Sequence, residues 1–236
     1  MIDRIAKEKL NIILLIDASK SMQGERIKQV DQAIQDIKDY LIDLESENTN
    51  VDFYLTLIPF NNEAYFYDYK ECINVNEFKY SSIKCGGYTN LHCAYEKLGE
   101  ILKRESRGGV MPDFGGAAPI ILLLTDGHPT GNEYKKALQE IANMPWFKAA
   151  LRYGVAIELN DQRTGQVLSD FVGNNGDVIN CYNSSMLKNI IKIIVLTASK
   201  VKSTSANVAN GPHVTQNQAA QQLIAEALSE TENWGW

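Results

Sequence analysis

The chain has 236 residues, with 23 basic against 29 acidic side chains, a net charge of −6, 44% apolar and 22% charged residues. That length and balance fit one α/β domain with a short extension. They argue against nucleic acid as a partner, because no Lys/Arg run or basic arm is present. They argue equally against a membrane span, because the apolar run near the N-terminus is too short and the late run from Met186 is broken by Lys188, Asn189 and Lys192.

Residues 1–9 read as a polar lead-in without the pattern of a secretory leader. Within a strand over roughly 10–16, the run Ile12–Ile16 is five apolar residues, mostly β-branched or Leu, as suits a strand buried on both faces of a parallel sheet. Directly after it come Asp17, Ser19 and Ser21, short oxygen-bearing side chains at alternate positions. In extended or turn-like backbone these face one side, just past the carboxyl end of the strand, where open α/β sheets bind ligands. A carboxylate with two hydroxyls is a hard donor set that suits Mg²⁺, Mn²⁺ or Ca²⁺.

Gly24 precedes a helix whose apolar stripe is Ile27, Val30, Ile34, Ile37, Leu41 and Leu44. Val51–Phe60 reads as the second strand, and Glu63–Tyr67 as a short antiparallel edge strand. Residues 68–88 form an aromatic-rich connection, in which Tyr88 suits either loop packing or a partner-binding rim. Gly86-Gly87-Tyr88-Thr89 allows a tight turn before a helix carrying Ala94, Leu98, Ile101 and Leu102. By its position Thr89 suits that helix's N-cap.

Arg104–Ala118 is glycine-rich, lacks a phosphate-loop signature and reads as a surface loop. Pro119–Thr125 is a fully apolar strand ending in Asp126-Gly127. Asp126 is a turn former or, beside Asp17 on the same sheet edge, a second carboxylate in need of a counter-charge. His128 is left out of the donor set, since nitrogen suits Mg²⁺ poorly. A helix over Glu133–Phe147 stops near Pro145, followed by a strand over Ala149–Leu159, a helix over Thr164–Val172, a strand over Val178–Cys181 and a closing helix over Ser184–Lys202. Alternating strands and helices give a doubly wound, mostly parallel six-stranded sheet with one antiparallel edge strand.

The domain therefore spans 1–202, and 203–236 reads as a polar linker and tail. Ala219–Glu230 has the spacing of a short helix, and Trp234 and Trp236 either dock onto a surface or end a mobile tail. Cys72, Cys85, Cys93 and Cys181 lack zinc spacing and are expected as reduced thiols in a cytoplasm. Cys85 and Cys93 bracket the Thr89 loop, as spectators or as a redox pair.

Together, Asp17-x-Ser19-x-Ser21, Gly86-Gly87-x-Thr89 and Thr125-Asp126-Gly127, in that order over roughly residues 8–202, resemble the metal-ion-dependent adhesion site of von Willebrand factor type A domains. Members of that family often have Gly-Gly-Thr, and here Tyr88 intervenes. The resemblance implies a Rossmann-like fold and a divalent cation held by Asp17, Ser19 and Ser21, with Thr89 and Asp126 bound directly or through water. It implies a protein partner whose Asp or Glu completes the shell, and no enzymatic activity. The wording TDGHPT and the cytosolic character resemble the bacterial TerY-like proteins of tellurium-resistance and stress systems, which implies a scaffold working with a kinase or phosphatase. Two alternatives stand beside this. One is a structural subunit with a stabilising metal. The other is a Mg²⁺-dependent hydrolase of the haloacid-dehalogenase type, in which Ser19 occupies the place of the required second aspartate.

Overall fold

The computed structural model describes residues 7–47, 50–69, 71–158, 162–173 and 178–205. Six strands form one sheet: β1 (Glu8–Asp17), β2 (Val51–Phe60), β3 (Ile73–Asn74), β4 (Ile120–Thr125), β5 (Leu151–Ile157) and β6 (Val178–Cys181). Their order is β3-β2-β1-β4-β5-β6, parallel throughout except where β3 runs against β2. The helices are α1 (Glu25–Glu47), α2 (Leu91–Ile101), α3 (Glu133–Ala142), α4 (Pro145–Ala149), α5 (Gln162–Val172) and α6 (Ser184–Ser205).

The twofold period of a strand divides the core into two layers. From β1, Ile12, Leu14 and Ile16 join Ile120, Leu122 and Leu124 of β4 under α1 and α6. Ile13 and Leu15 join Ile121 and Leu123 on the other face, under α2, α3 and α5. Both faces are thus covered, which is why β1 and β4 read as unbroken apolar runs. The stripe Ile27, Val30, Ile34, Ile37 and Leu41 of α1 is buried as its spacing predicts.

Gly154 of β5 lets α5 approach closely. A Cβ there would stand 2.8 Å from Leu168 Cβ, inside contact distance. Gly154→Ala is expected to destabilise the domain by about 1–3 kcal/mol, through overpacking that neither rigid element can relieve. Urea denaturation measures it, and a neutral result would show that α5 shifts freely.

Four expectations are corrected. The edge strand is Ile73–Asn74, paired with Leu55 and Tyr54, whereas Glu63–Tyr67 makes only a single bridge between Phe60 and Ala64. Asn61 closes a tight turn there: its side chain accepts from the Glu63 amide and its own amide donates to the Glu63 carbonyl, so the backbone curls away from a ladder. The 104–118 segment is more than a surface loop, because Met111 is fully buried and bridges back to Arg104. The 133–147 helix is two helices. Pro145 sits in the first turn of α4, where its missing N–H costs nothing, instead of merely ending α3. The closing helix runs to Ser205, three residues beyond the expected boundary. The remaining linker, the 219–230 segment and the terminal tryptophans lie outside the described residues.

Candidate metal centre

The parallel register sets Asp17 at the end of β1, with β4 as its neighbour and Thr125 ending that strand. Asp17 is fully buried. Its Oδ1 accepts from the Ser19 amide at 2.8 Å, and its Oδ2 accepts from Thr125 Oγ1 at 2.6 Å. From there the polar groups continue across the rim. Ser19 Oγ and Ser21 Oγ are 3.0 Å apart, and Ser21 Oγ donates to Asp126 Oδ1 at 2.8 Å. Four of the five expected donors thus form one connected set.

Thr89 reaches the same rim through its backbone. Its carbonyl accepts from the Thr130 amide at 2.9 Å, and its amide donates to Thr130 Oγ1 at 3.3 Å. Among the described residues its hydroxyl is not in the chain of the other four. The loop before it is tied down at both glycines: the Gly86 amide donates to the Ala18 carbonyl at 2.8 Å and the Gly87 carbonyl accepts from the Lys20 amide at 3.2 Å. Gly87 has φ +78°, and a Cβ there would collide with the Asn62 side chain at 2.5 Å. That pair of constraints explains the second glycine. Tyr88 turns outward, 67% exposed, with only its amide held by Asn62 Oδ1. The extra residue before the threonine is therefore taken up by the loop, with the threonine still pinned to the Asp126 loop.

The electrostatics favour a cation. Burial is the largest influence on Asp17 and raises its pKa from 3.8 to about 6, against the lowering by its Thr125 and Ser19 hydrogen bonds, with Asp126 raising it further. Among the described residues no lysine or arginine pairs with Asp17. Adjacent oxygens around an octahedral Mg²⁺ with bonds of about 2.1 Å lie about 3 Å apart. The 3.0 Å separation of the Ser19 and Ser21 hydroxyls matches that edge. No group of three or more His, Cys, Asp or Glu side chains gathers among the described residues to hold a metal. The candidate set has two carboxylates and draws its other donors from hydroxyls, which fits a hard cation.

Sequence reasoning gave no role at this rim to four of its residues. Thr125 holds Asp17, and Thr130 holds Thr89. Arg26 in the first turn of α1 donates from Nη1 to Asp126 Oδ2 at 2.6 Å and from Nε to Glu158 Oε2 at 2.9 Å. Glu158 falls inside the strand expected over 149–159, and only the end of β5 at Ile157 puts it on this edge. Cys85 lies near the site, but burial first, then Asp17, Asp31 and Asp126, push it up to about 11, so it stays a thiol at neutral pH. All four cysteines are free.

A sheet of this order, with a hydroxyl-and-carboxylate rim at the carboxyl ends of β1 and β4, defines a class. The family model of the von Willebrand factor type A domain matches residues 11–193, and the chain belongs to that family. Domains of this kind are protein-interaction modules and generally not enzymes. Among sequence relatives, the bovine (Bos taurus) inter-alpha-trypsin inhibitor heavy chain H4 is 32% identical over 56% of this chain and 14% of its own length. The pig (Sus scrofa) heavy chain H1 is 28% identical over 53% of this chain and likewise 14% of its own. The chain thus spans about a seventh of the length of these curated relatives. Two solved structures share the fold. Proximal thread matrix protein 1 of the mussel byssus has a TM-score of 0.54 at 16% identity, covering 82% of this chain and 48% of that one. The pilus adhesin SpaC of Lactobacillus rhamnosus GG has 0.55 at 12% identity, covering 83% and 30%.

Proposed function

We propose that this domain is a metal-dependent protein-binding module that captures an acidic side chain of a partner protein. Asp17, Ser19 and Ser21 would hold a Mg²⁺, Mn²⁺ or Ca²⁺ ion, with Thr89 and Asp126 bound directly or through water. The ion supplies an electrophilic position for the partner's carboxylate. The observation that carries this reading is the fully buried Asp17 carboxylate, without a cationic side chain among the described residues, at one end of a connected row of hard oxygen donors.

The reading as a hydrolase is weaker. A haloacid-dehalogenase-like site needs a general acid where this chain has Ser19, and that hydroxyl lies against Ser21 Oγ. A TerY-like bacterial setting, with a kinase or phosphatase as partner, is supported only by the TDGHPT wording and domain size; the relatives found in sequence are inter-alpha-trypsin inhibitor heavy chains. A cytoplasmic setting, with Cys72, Cys85, Cys93 and Cys181 as reduced thiols, is part of this proposal.

The test is capture of partners on the immobilised chain in Mg²⁺ and in EDTA. Asp126→Ala is expected to remove the Mg²⁺-dependent fraction at least about tenfold, or about 1.4 kcal/mol, since the ion loses a neighbouring carboxylate and Arg26 loses the partner that offsets its charge. Circular dichroism should stay native, because Asp126 sits at the rim. Equal capture in EDTA would overturn the reading.

A further inference from the structure

Both oxygens of Asp126 are engaged. Oδ1 accepts from Ser21 Oγ, and Oδ2 accepts from Arg26 Nη1 at 2.6 Å with the carboxylate side chain only 1% exposed. The same guanidinium donates from Nη1 to the Ser21 carbonyl at 3.2 Å and from Nε to Glu158 Oε2 at 2.9 Å. Arg26 is therefore fixed from both ends of the rim, by α1 behind it and by the residue after β5 in front. Glu158 has φ +54°, a conformation unfavourable for a residue with a Cβ, and its amide is tied to the Cys181 carbonyl at 2.9 Å. Strained backbone is thus maintained where it presents a carboxylate to Arg26.

We propose that Arg26, gripped by Glu158, is a positioning residue that keeps Asp126 out of direct coordination to a divalent cation and holds the affinity of the site down. This rests on the metal-binding reading above. The reason is charge. Asp17 and Asp126 bound together would neutralise a divalent ion and leave it little attraction for a partner's carboxylate. With Asp126 answered by a guanidinium, the ion keeps part of its charge for an incoming acid. An arginine is suited to this, since it stays protonated at every physiological pH and its planar fork can serve two carboxylates at once.

The test is Mn²⁺ titration of the full chain, followed by electron paramagnetic resonance, for the wild type, Arg26→Gln, Arg26→Lys and Lys20→Gln. Arg26→Gln is expected to bind Mn²⁺ roughly tenfold more tightly, from the removal of one nearby positive charge and the release of Asp126. Proton relaxation should then count fewer waters on the bound ion, because a carboxylate has replaced one. Arg26→Lys keeps the charge and should fall between. Lys20→Gln removes a charge from the same loop without touching Asp126, and should change affinity less than about twofold. Thermal melts in EDTA confirm that each variant folds. Unchanged or weaker Mn²⁺ binding by Arg26→Gln, beside a wild type that binds, overturns this inference and leaves the metal-binding reading standing. An equal gain from Lys20→Gln overturns it too. Absence of Mn²⁺ binding in every variant overturns both.

Discussion

In EDTA at pH 7.5, Asp17→Asn is expected to be more stable than the wild type by about 2–3 kcal/mol, and to lose all stabilisation by Mg²⁺ or Mn²⁺. The two effects have opposite signs and one origin. Burial raises the Asp17 carboxyl from 3.8 to about 6 in the folded chain. Below pH 4 both folded and unfolded chains hold the proton. Between pH 4 and 6 the unfolded chain releases it while the folded chain keeps it, so stability falls as pH rises. Above about 6 the loss is complete and stays constant. A rise from 3.8 to about 6 corresponds to about 3 kcal/mol. Asparagine carries no charge to desolvate. Its Oδ1 can still accept from the Ser19 amide, and the Thr125 hydroxyl can turn its proton to the Gly127 carbonyl, 3.0 Å away. At pH 4 the two proteins should therefore unfold at nearly the same urea concentration. On the proposed function a bound cation would offset the buried charge in the wild type alone, so added Mn²⁺ should raise its midpoint and leave the variant's where it was. If Asp17→Asn proves less stable in EDTA at pH 7.5, or still responds to Mn²⁺, the account of this carboxylate is wrong.

The second large effect lies far from the rim. Arg152 of β5 is buried at 7% exposure and lies over the Phe147 ring, 4.5 Å from its centroid. It donates to three carbonyls: Phe147 at 2.6 Å, Val172 at 2.9 Å and Phe171 at 3.1 Å. Phe171 and Val172 end α5 and Phe147 lies in α4, so one guanidinium satisfies orphan carbonyls of two helix ends and meets the negative pole of each. Burial lowers its pKa to about 10, which leaves it charged at neutral pH. Arg152→Met fills much of the space but abandons three acceptors, and should cost about 3–4 kcal/mol. Arg152→Lys should recover only part, because one ammonium cannot reach three carbonyls in a plane. Urea denaturation at pH 7 measures both, and a loss under 1 kcal/mol for the methionine variant would show that water replaces the guanidinium.

How much of this was legible in the sequence follows from the range of each interaction. The strands β1 and β4 announce themselves because burial on both faces demands uninterrupted apolar runs. The periodic stripe of α1 does the same for one face. Asp17, Ser19, Ser21 and Asp126 were readable because each follows directly on such a strand. The two-residue β3 carries no pattern of its own, and its pairing depends on where the aromatic connection returns to β2. Met111 likewise looks like any loop residue until the loop closes over α2. Arg26 and Glu158 are 132 positions apart. Nothing local marks them, since a helix-opening arginine and an acidic residue after a strand are ordinary on any surface. Only the register of β1, β4 and β5 sets them face to face.

The donors of the rim come from distant parts of the polypeptide: Ser21 meets Asp126 across 105 positions, and Asp17 meets Thr125 across 108. Closing loops of that size is slow and entropically opposed, so no fragment ending before β4 can assemble the set. A nascent chain still on the ribosome, or one clipped between the two halves, would leave Asp17 without Thr125 and Ser21 without Asp126. On the proposed function, recognition of another protein at this edge would be reserved for molecules folded through β4.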